Sequence, residues 1–365
     1  MAIKLNKQIG YNMKITKIAF ATASALLLST AISSAQTTVG GNMRIGIKAT
    51  SADTTGGIGS NTMFTKETQI NVANKGNLNI GGLSYAAGFS LEYDGDEAGA
   101  IGNHYEGNYI NLINASSGTT LHFGADVLKP TDYQLSDIVA GPISIEHIGV
   151  NAANTTAGVA VKETNYAQIS GNGKNESFGV GIIQNVGTMG TVRAIYIPDT
   201  TQALSDTGSS TPAGATSNSH KAYSFAGSLG VPGLTVLYGK VDQSDSGTSK
   251  GVDVDTYGIK YTVGQFTAAY QKADGQATST IKISDNKQYG LAYAATKDLT
   301  IGLAMIKTKA ESGMSGTAEE EIKGINIGYS LGPVSLQVVA GSIDNAAGVT
   351  GQDGKALHMT LGTTF

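Results

Sequence analysis

The sequence predicts an all-β protein, a transmembrane antiparallel β-barrel of about sixteen strands, with eighteen as the alternative. Three observations predict it. The chain ends on an alternating strand closed by an aromatic. It opens on a segment built for export. Between the ends, strands of about ten residues are joined by connections that are short and long in strict turn.

The last eleven residues, 355–365, read KALHMTLGTTF. Counting back from Phe365, one register holds Thr363, Leu361, Met359 and Leu357. The other holds Thr364, Gly362, Thr360, His358 and Ala356, all small or polar. That is a period-two strand with one apolar face. A terminal aromatic suits a membrane strand, because aromatics gather where the apolar belt meets the head groups. The competing reading is an edge strand of a soluble β-sandwich.

At the other end, Met13 opens MKITKIAFATASALLLSTAISSA, with Lys14 and Lys17 ahead of an apolar, Ala-rich stretch over 18–32. Ser33, Ser34 and Ala35 supply the small residues that a signal peptidase reads. Residues 1–35 are therefore expected to be an extension plus a cleaved signal peptide, with Met13 the more natural initiator. The barrel is then 36–365. An N-terminal anchor helix is the alternative, disfavoured because the apolar core is short and the following sequence alternates and is rich in Gly.

Composition narrows the class. The chain has 49 Gly, 6 Pro, no Cys and no Trp. No other run approaches the length of a membrane helix. Barrel strands show only half their residues to lipid, so a spanning barrel keeps a neutral average hydropathy. Without Cys there are no disulfides and no thiol chemistry. Four of the 24 Lys+Arg lie in 1–35, which holds no acid, so the mature chain has 20 basic against 28 acidic side chains, a net of −8. That balance argues against nucleic acid as a partner.

In order, the expected strands are 39–49, 66–78, 83–93, 106–115, 119–126, 176–187, 191–198, 220–230, 234–243, 253–263, 265–273, 286–296, 299–309, 320–331, 334–343 and 355–365. Short turns such as Gly81–Gly82, Gly264 and Gly332–Pro333 alternate with long connections at 50–65, 94–104, 127–175, 199–219, 244–252, 274–285, 310–319 and 344–354. Segments 142–150 and 157–170 could instead add a hairpin and give eighteen strands. An even count puts both termini on the periplasmic side. The faces are readable: Leu83, Tyr85, Ala87, Phe89, Leu91 and Tyr93 alternate with Ser84, Ala86, Gly88, Ser90 and Glu92. A face that small and polar cannot be a close-packed core. It is expected to line water while the other meets lipid. Tyr85 and Tyr93, Tyr257 and Tyr261, and Tyr289 and Tyr293 fit interfacial girdles.

On these features, namely the export segment, the opening strand VGGNMRIGIKA, the alternating strands, the extended third loop and Phe365, the chain resembles the Gram-negative porins of the trimeric general-diffusion type. The resemblance is architectural, and the lack of Trp departs from it. It implies a homotrimer with one pore per barrel, and a third loop folded into the lumen. It also implies that Phe365, with Leu357, Met359 and Leu361, forms the signal read by the outer-membrane assembly machinery. The location implied is the outer membrane, in contact with the lipid bilayer and lipopolysaccharide.

The third long connection carries Asp132, Asp137, Glu146 and Glu163, with Asp126 just before it. A loop so long is unusual unless functional. The two Arg, Arg44 and Arg193, fall on polar registers, as do Lys48, Lys260, His122, His358 and Lys323. A basic wall opposite an acidic loop would set a transverse field across a constriction. The alternative is a set of solvated lumen charges with no special role. Asp94, Asp96 and Glu97 have the look of an oxygen-rich Ca²⁺ loop but lack the rest of an EF-hand, so a solvated acidic loop is favoured. No cofactor is expected. The five His are dispersed, and no catalytic motif is present.

These features point to a passive channel for small hydrophilic solutes and ions, with weak cation preference. A substrate-selective channel is the alternative, and a non-conducting outer-membrane enzyme or adhesin a third reading.

Overall fold

The computed structural model describes residues 35–54, 57–78, 80–94, 102–124, 152–154, 159–161, 179–198, 219–243, 251, 253–276, 282–312 and 316–365. The first half of the chain supplies β1 (Gln36–Thr54), β2 (Gly57–Asn77), β3 (Leu83–Asp94), β4 (Gly102–Asn114) and β5 (Thr119–Gly124). Two short strands follow, β6 (Ala152–Asn154) and β7 (Val159–Val161). Then come β8 (Gly179–Asn185), β9 (Thr191–Ile197), β10 (His220–Gly227), β11 (Leu234–Gln243), β12 (Asp253–Val263) and β13 (Phe266–Gln276). The chain finishes with β14 (Lys282–Ala294), β15 (Leu299–Ser312), β16 (Glu320–Leu331), β17 (Val334–Asp344) and β18 (Asp353–Thr364).

Sixteen of these strands form one closed antiparallel barrel in which each pairs with its neighbours and β18 returns to β1. β6 and β7 form a separate two-stranded sheet. β5 pairs directly with β8, from Thr119 opposite Gln184 to Gly124 opposite Gly179. The long third connection therefore adds nothing to the wall, and the count is sixteen and not eighteen. Closure leaves no open edge, so every wall strand has partners on both sides.

The short turns lie where the sequence places them. Gly264 and Gly332 take φ of 58° and 73°, a left-handed backbone that a two-residue turn needs and Gly adopts without strain. Several long connections are shortened by strand, as at 274–285, where β13 runs to Gln276 and β14 starts at Lys282, and 50–65 differs most. Residues 50–65 are mostly strand, because β1 and β2 stay paired up to Thr54 opposite Gly57. Their polar residues had the look of a loop, but beyond the lipid both faces of a hairpin are wet and polarity no longer marks a loop.

The two faces are inverted relative to a soluble protein. Outward positions are apolar and exposed, as at Ile45 (55 %) and Leu361 (44 %). Inward positions are polar and buried, as at Gln271 and Asn286 (both 0 %). No helix among the described residues is long and apolar enough to cross a membrane. The inner face is not uniformly small or polar, contrary to expectation. Ile306, Ile322, Val339, Ile343 and Ala356 pack together inside β15 to β18, joined by Ala346 of a 3-10 turn.

Candidate functional site

The candidate site is the inner wall. On β1, Asn42, Arg44, Gly46 and Lys48 share the inward register, since Met43, Ile45 and Ile47 between them are exposed. Arg44 lies opposite Glu67 of β2 and forms an ion pair with it. Asn42 donates from Nδ2 to Gln69 Oε1 at 3.0 Å. Thr65 Oγ1 and His358 Nε2 are 3.0 Å apart, reaching across β1 between two strands that do not pair. Gly46 permits that reach: a Cβ there would stand 2.7 Å from Thr65 Oγ1 and 2.7 Å from Thr360 Cγ2.

The wall continues as hydroxyls and amides. Ser90 donates to Asn71 Oδ1 at 2.6 Å. His122 Nδ1 lies 2.6 Å from Asn111 Oδ1, and its ring stacks on Tyr109 at 6.1 Å between centroids. Asn286 donates to Thr308 Oγ1 at 2.8 Å, and Thr360 donates to Gln337 Oε1 at 3.4 Å. Neutral groups that hydrogen-bond one another fix the wall's shape and leave its charge to a few residues.

A closed tube with lipid-compatible skin and a hydrogen-bonding interior is a channel wall. The family model described as Gram-negative porin matches residues 21–348. The chain belongs to the Gram-negative porins. Solved porins share the fold. The anion-selective porin of Comamonas acidovorans superimposes with a TM-score of 0.64 at 12 % identity, covering 91 % of this chain and 100 % of that one. A mutant form of the Rh. blastica porin gives 0.57 at 14 % identity, covering 90 % and 100 %. Among curated proteins, none matches this sequence.

Of the residues singled out from sequence, the porin wall gathers Arg44 and Lys48 on one strand and sets His358 beside Lys48 in register. Arg193 of β9 and Lys260 of β12 also take inward registers, elsewhere on the circumference. Lys323 does not. It sits on the outward register of β16 with Ile325 and Tyr329 and pairs with Glu321 and Asp344. Its charge suggested the pore face, but near a strand's outer end the external face also leaves the apolar belt.

Asp126, Asp132, Asp137, Glu146 and Glu163 lie outside the described residues, as do Asp96 and Glu97 and the whole of 1–34. Asp94 ends β3. Among the described residues no group of His, Asp or Glu is arranged to hold a metal. The small sheet of β6 and β7, within the third connection, lies beside β1 and β2. Glu67 was missed from sequence. Its signal was available, since it falls on the register of Thr65, Gln69 and Asn71 and pairs with the strand that carries Arg44.

Proposed function

We propose that this outer-membrane porin forms a water-filled pore for the passive diffusion of small hydrophilic solutes and ions. The observation that carries the reading is the inverted barrel: exposed Ile, Leu, Met and Tyr outside, buried Asn, Gln, Thr and His inside. The lipid bilayer and lipopolysaccharide cover the outside, and the chain assembles as a homotrimer after export behind a cleaved signal peptide. Phe365 with Leu357, Met359 and Leu361 is the strand that the assembly machinery reads. The protein is a channel and not an enzyme, works without a cofactor, and has no nucleic-acid partner.

The Comamonas porin is anion-selective. Here the mature chain's excess of acids supports a weak preference for cations instead, since a lumen of one sign enriches its counter-ions. Single-channel recording in planar bilayers tests the reading. Stepwise, ohmic conductance that passes both ions of KCl is expected. Insertion without conductance would leave an adhesin or enzyme, and saturation by one solute would indicate a substrate-selective channel.

A further inference from the structure

An aliphatic row stands where a pore wall would be wet. Ile306 lies opposite Ile322, and Ile322 opposite Ile343, in register across β15, β16 and β17. All three take the inward register toward the long-connection ends of their strands, and all are buried. Water at a pore mouth would leave such a row bare. The chain's last long connection covers it. The 3-10 turn Ala346–Gly348, between β17 and β18, bends to the inner side, and Ala346 packs into the isoleucines beside Val339 and Ala356.

This connection is fastened from several directions. Asn345 takes a left-handed backbone with φ of 54°, a conformation Asn tolerates, as the chain leaves β17. The Asn345 amide N–H donates to Asp353 Oδ1 at 2.9 Å, and its Nδ2 donates to the Glu319 carbonyl at 3.2 Å. Its Oδ1 accepts from the Gly351 N–H at 3.3 Å. The Ala346 N–H donates to the Gln352 carbonyl at 2.7 Å, which closes the connection on itself. The Ala318 N–H donates to the Gly348 carbonyl at 2.9 Å, which ties it to the connection between β15 and β16. The two backbones meet at Gly316 and Gly348, where a Cβ on either would strike the carbonyl oxygen of the other. On the outward side, Lys307 pairs with Glu319 and Glu321, and Lys323 with Glu321 and Asp344, across the same strand ends. Rejoining β17 to its antiparallel neighbour β18 needs only a short turn. Residues 345–352 instead form a longer connection that is apolar beneath and clasped to its neighbour.

We propose that this last connection is a fixed inner rim of the pore mouth that filters solutes by size and not by charge. The inference rests on the pore reading and deepens it by naming a segment of the mouth that decides which solutes enter. Residues 345–352 read NAAGVTGQ and carry no charge, and Thr350 and Gly351 form the exposed tip. The flanking carboxylates are engaged, Asp344 with Lys323 and Asp353 with the Asn345 amide. An uncharged rim sets no field across the opening, so it discriminates by the room it leaves. A steric filter must hold its edge still, and an apolar underside with hydrogen bonds to a second connection does that.

The test uses the full-length porin. Excising 346–351 together with Gln352→Gly leaves an Asn-Gly turn between Asp344 and Asp353, a favoured two-residue hairpin. Single-channel conductance and KCl reversal potential are read in planar bilayers, and liposome swelling is read with neutral sugars of increasing size. The excised porin is expected to conduct more and to admit larger sugars, with the reversal potential unchanged. An unchanged size limit, or a shifted reversal potential, would overturn the proposal. Excision bares the isoleucine row, so a second pair of variants leaves the docked turn intact. Thr350→Lys is expected to shift the reversal potential toward anions, and Thr350→Glu toward cations. No shift from either would put the tip off the ion path and overturn the proposal as well. A wild type that inserts without conducting would sink the pore reading and this one together. A conducting wild type whose size limit survives the excision would sink this one alone.

Discussion

Gly41 and Phe365 close the barrel. The Gly41 amide donates to the Phe365 carbonyl at 2.9 Å, and the Phe365 amide returns the bond to the Gly41 carbonyl at 3.0 Å. The Phe365 ring lies over the Gly41 Cα, so that a Cβ there would stand 2.7 Å from Cζ of the ring. Glycine and aromatic are thus one device. The missing side chain makes the space, and the ring shields the backbone that glycine leaves bare. Removing Phe365 takes away both seam hydrogen bonds at the last residue. Gly41→Val would push into the ring and into the Gln69 carbonyl, which it also faces. Both changes are expected to lower the folded, heat-modifiable species on gels while export continues. Undiminished folded protein in the Phe365 deletion would rule out its role in assembly.

Arg44 and Glu67 set the charge at one stretch of the wall, and both are largely shielded, at 13 % and 15 % exposure. Arg44→Ala should shift reversal potentials in a KCl gradient toward cations, and Glu67→Gln toward anions, each with the barrel still folded. The double variant should return close to the wild type, because it removes one charge of each sign. A shift of the same sign from both single variants would show that the pair does not face the permeating ions.

The barrel was legible because the period-two code is carried by whole strands. In β12, Tyr257, Ile259, Tyr261 and Val263 all face outward, as the alternation requires. What was less legible lies at the strand ends. Lys323 follows the outward register of Ile325, yet its charge suggested the lumen. Beyond the lipid both faces are hydrated, and polarity stops reporting direction. The Arg44–Glu67 pair illustrates a second limit. One strand's sequence gives a side chain's face, but only pairing register gives its neighbour.

Ile322 and Ile325 test the inner cluster against the lipid face. They sit three residues apart on β16, with Ile322 at 1 % exposure inside and Ile325 at 39 % outside. Ile322→Ala opens a cavity among Ile306, Val339 and Ile343, for which about 2–5 kcal/mol of stability is the ordinary loss. Ile325→Ala exchanges one apolar surface for another against lipid, and insertion scales put an Ile at roughly 0.5 kcal/mol. Urea unfolding of the barrel in lipid vesicles should rank them in that order. Equal losses would mean that the cluster at Ile322 is not packed.

The third connection is the last point of test. β5 and β8 pair without it, so residues 125–178 are surplus to the wall. A closed barrel of sixteen strands is wide, because diameter grows with strand number. Left open, it would pass solutes that a permeability barrier must exclude. The one part of the connection among the described residues, β6 with β7, lies beside β1 and β2, the strands that carry Arg44 and Glu67. Asp132 and Asp137 come earlier in the same connection, outside the described residues, and the expectation under test is that they face Arg44. Excising about ten residues from 127–150, a typical loop length, is therefore expected to raise single-channel conductance and admit larger sugars in liposome swelling. Asp132→Asn with Asp137→Asn should leave the size limit alone and weaken cation preference. If excision changes neither conductance nor the size limit, the segment lies outside the lumen, and the constriction must come from the wall residues themselves.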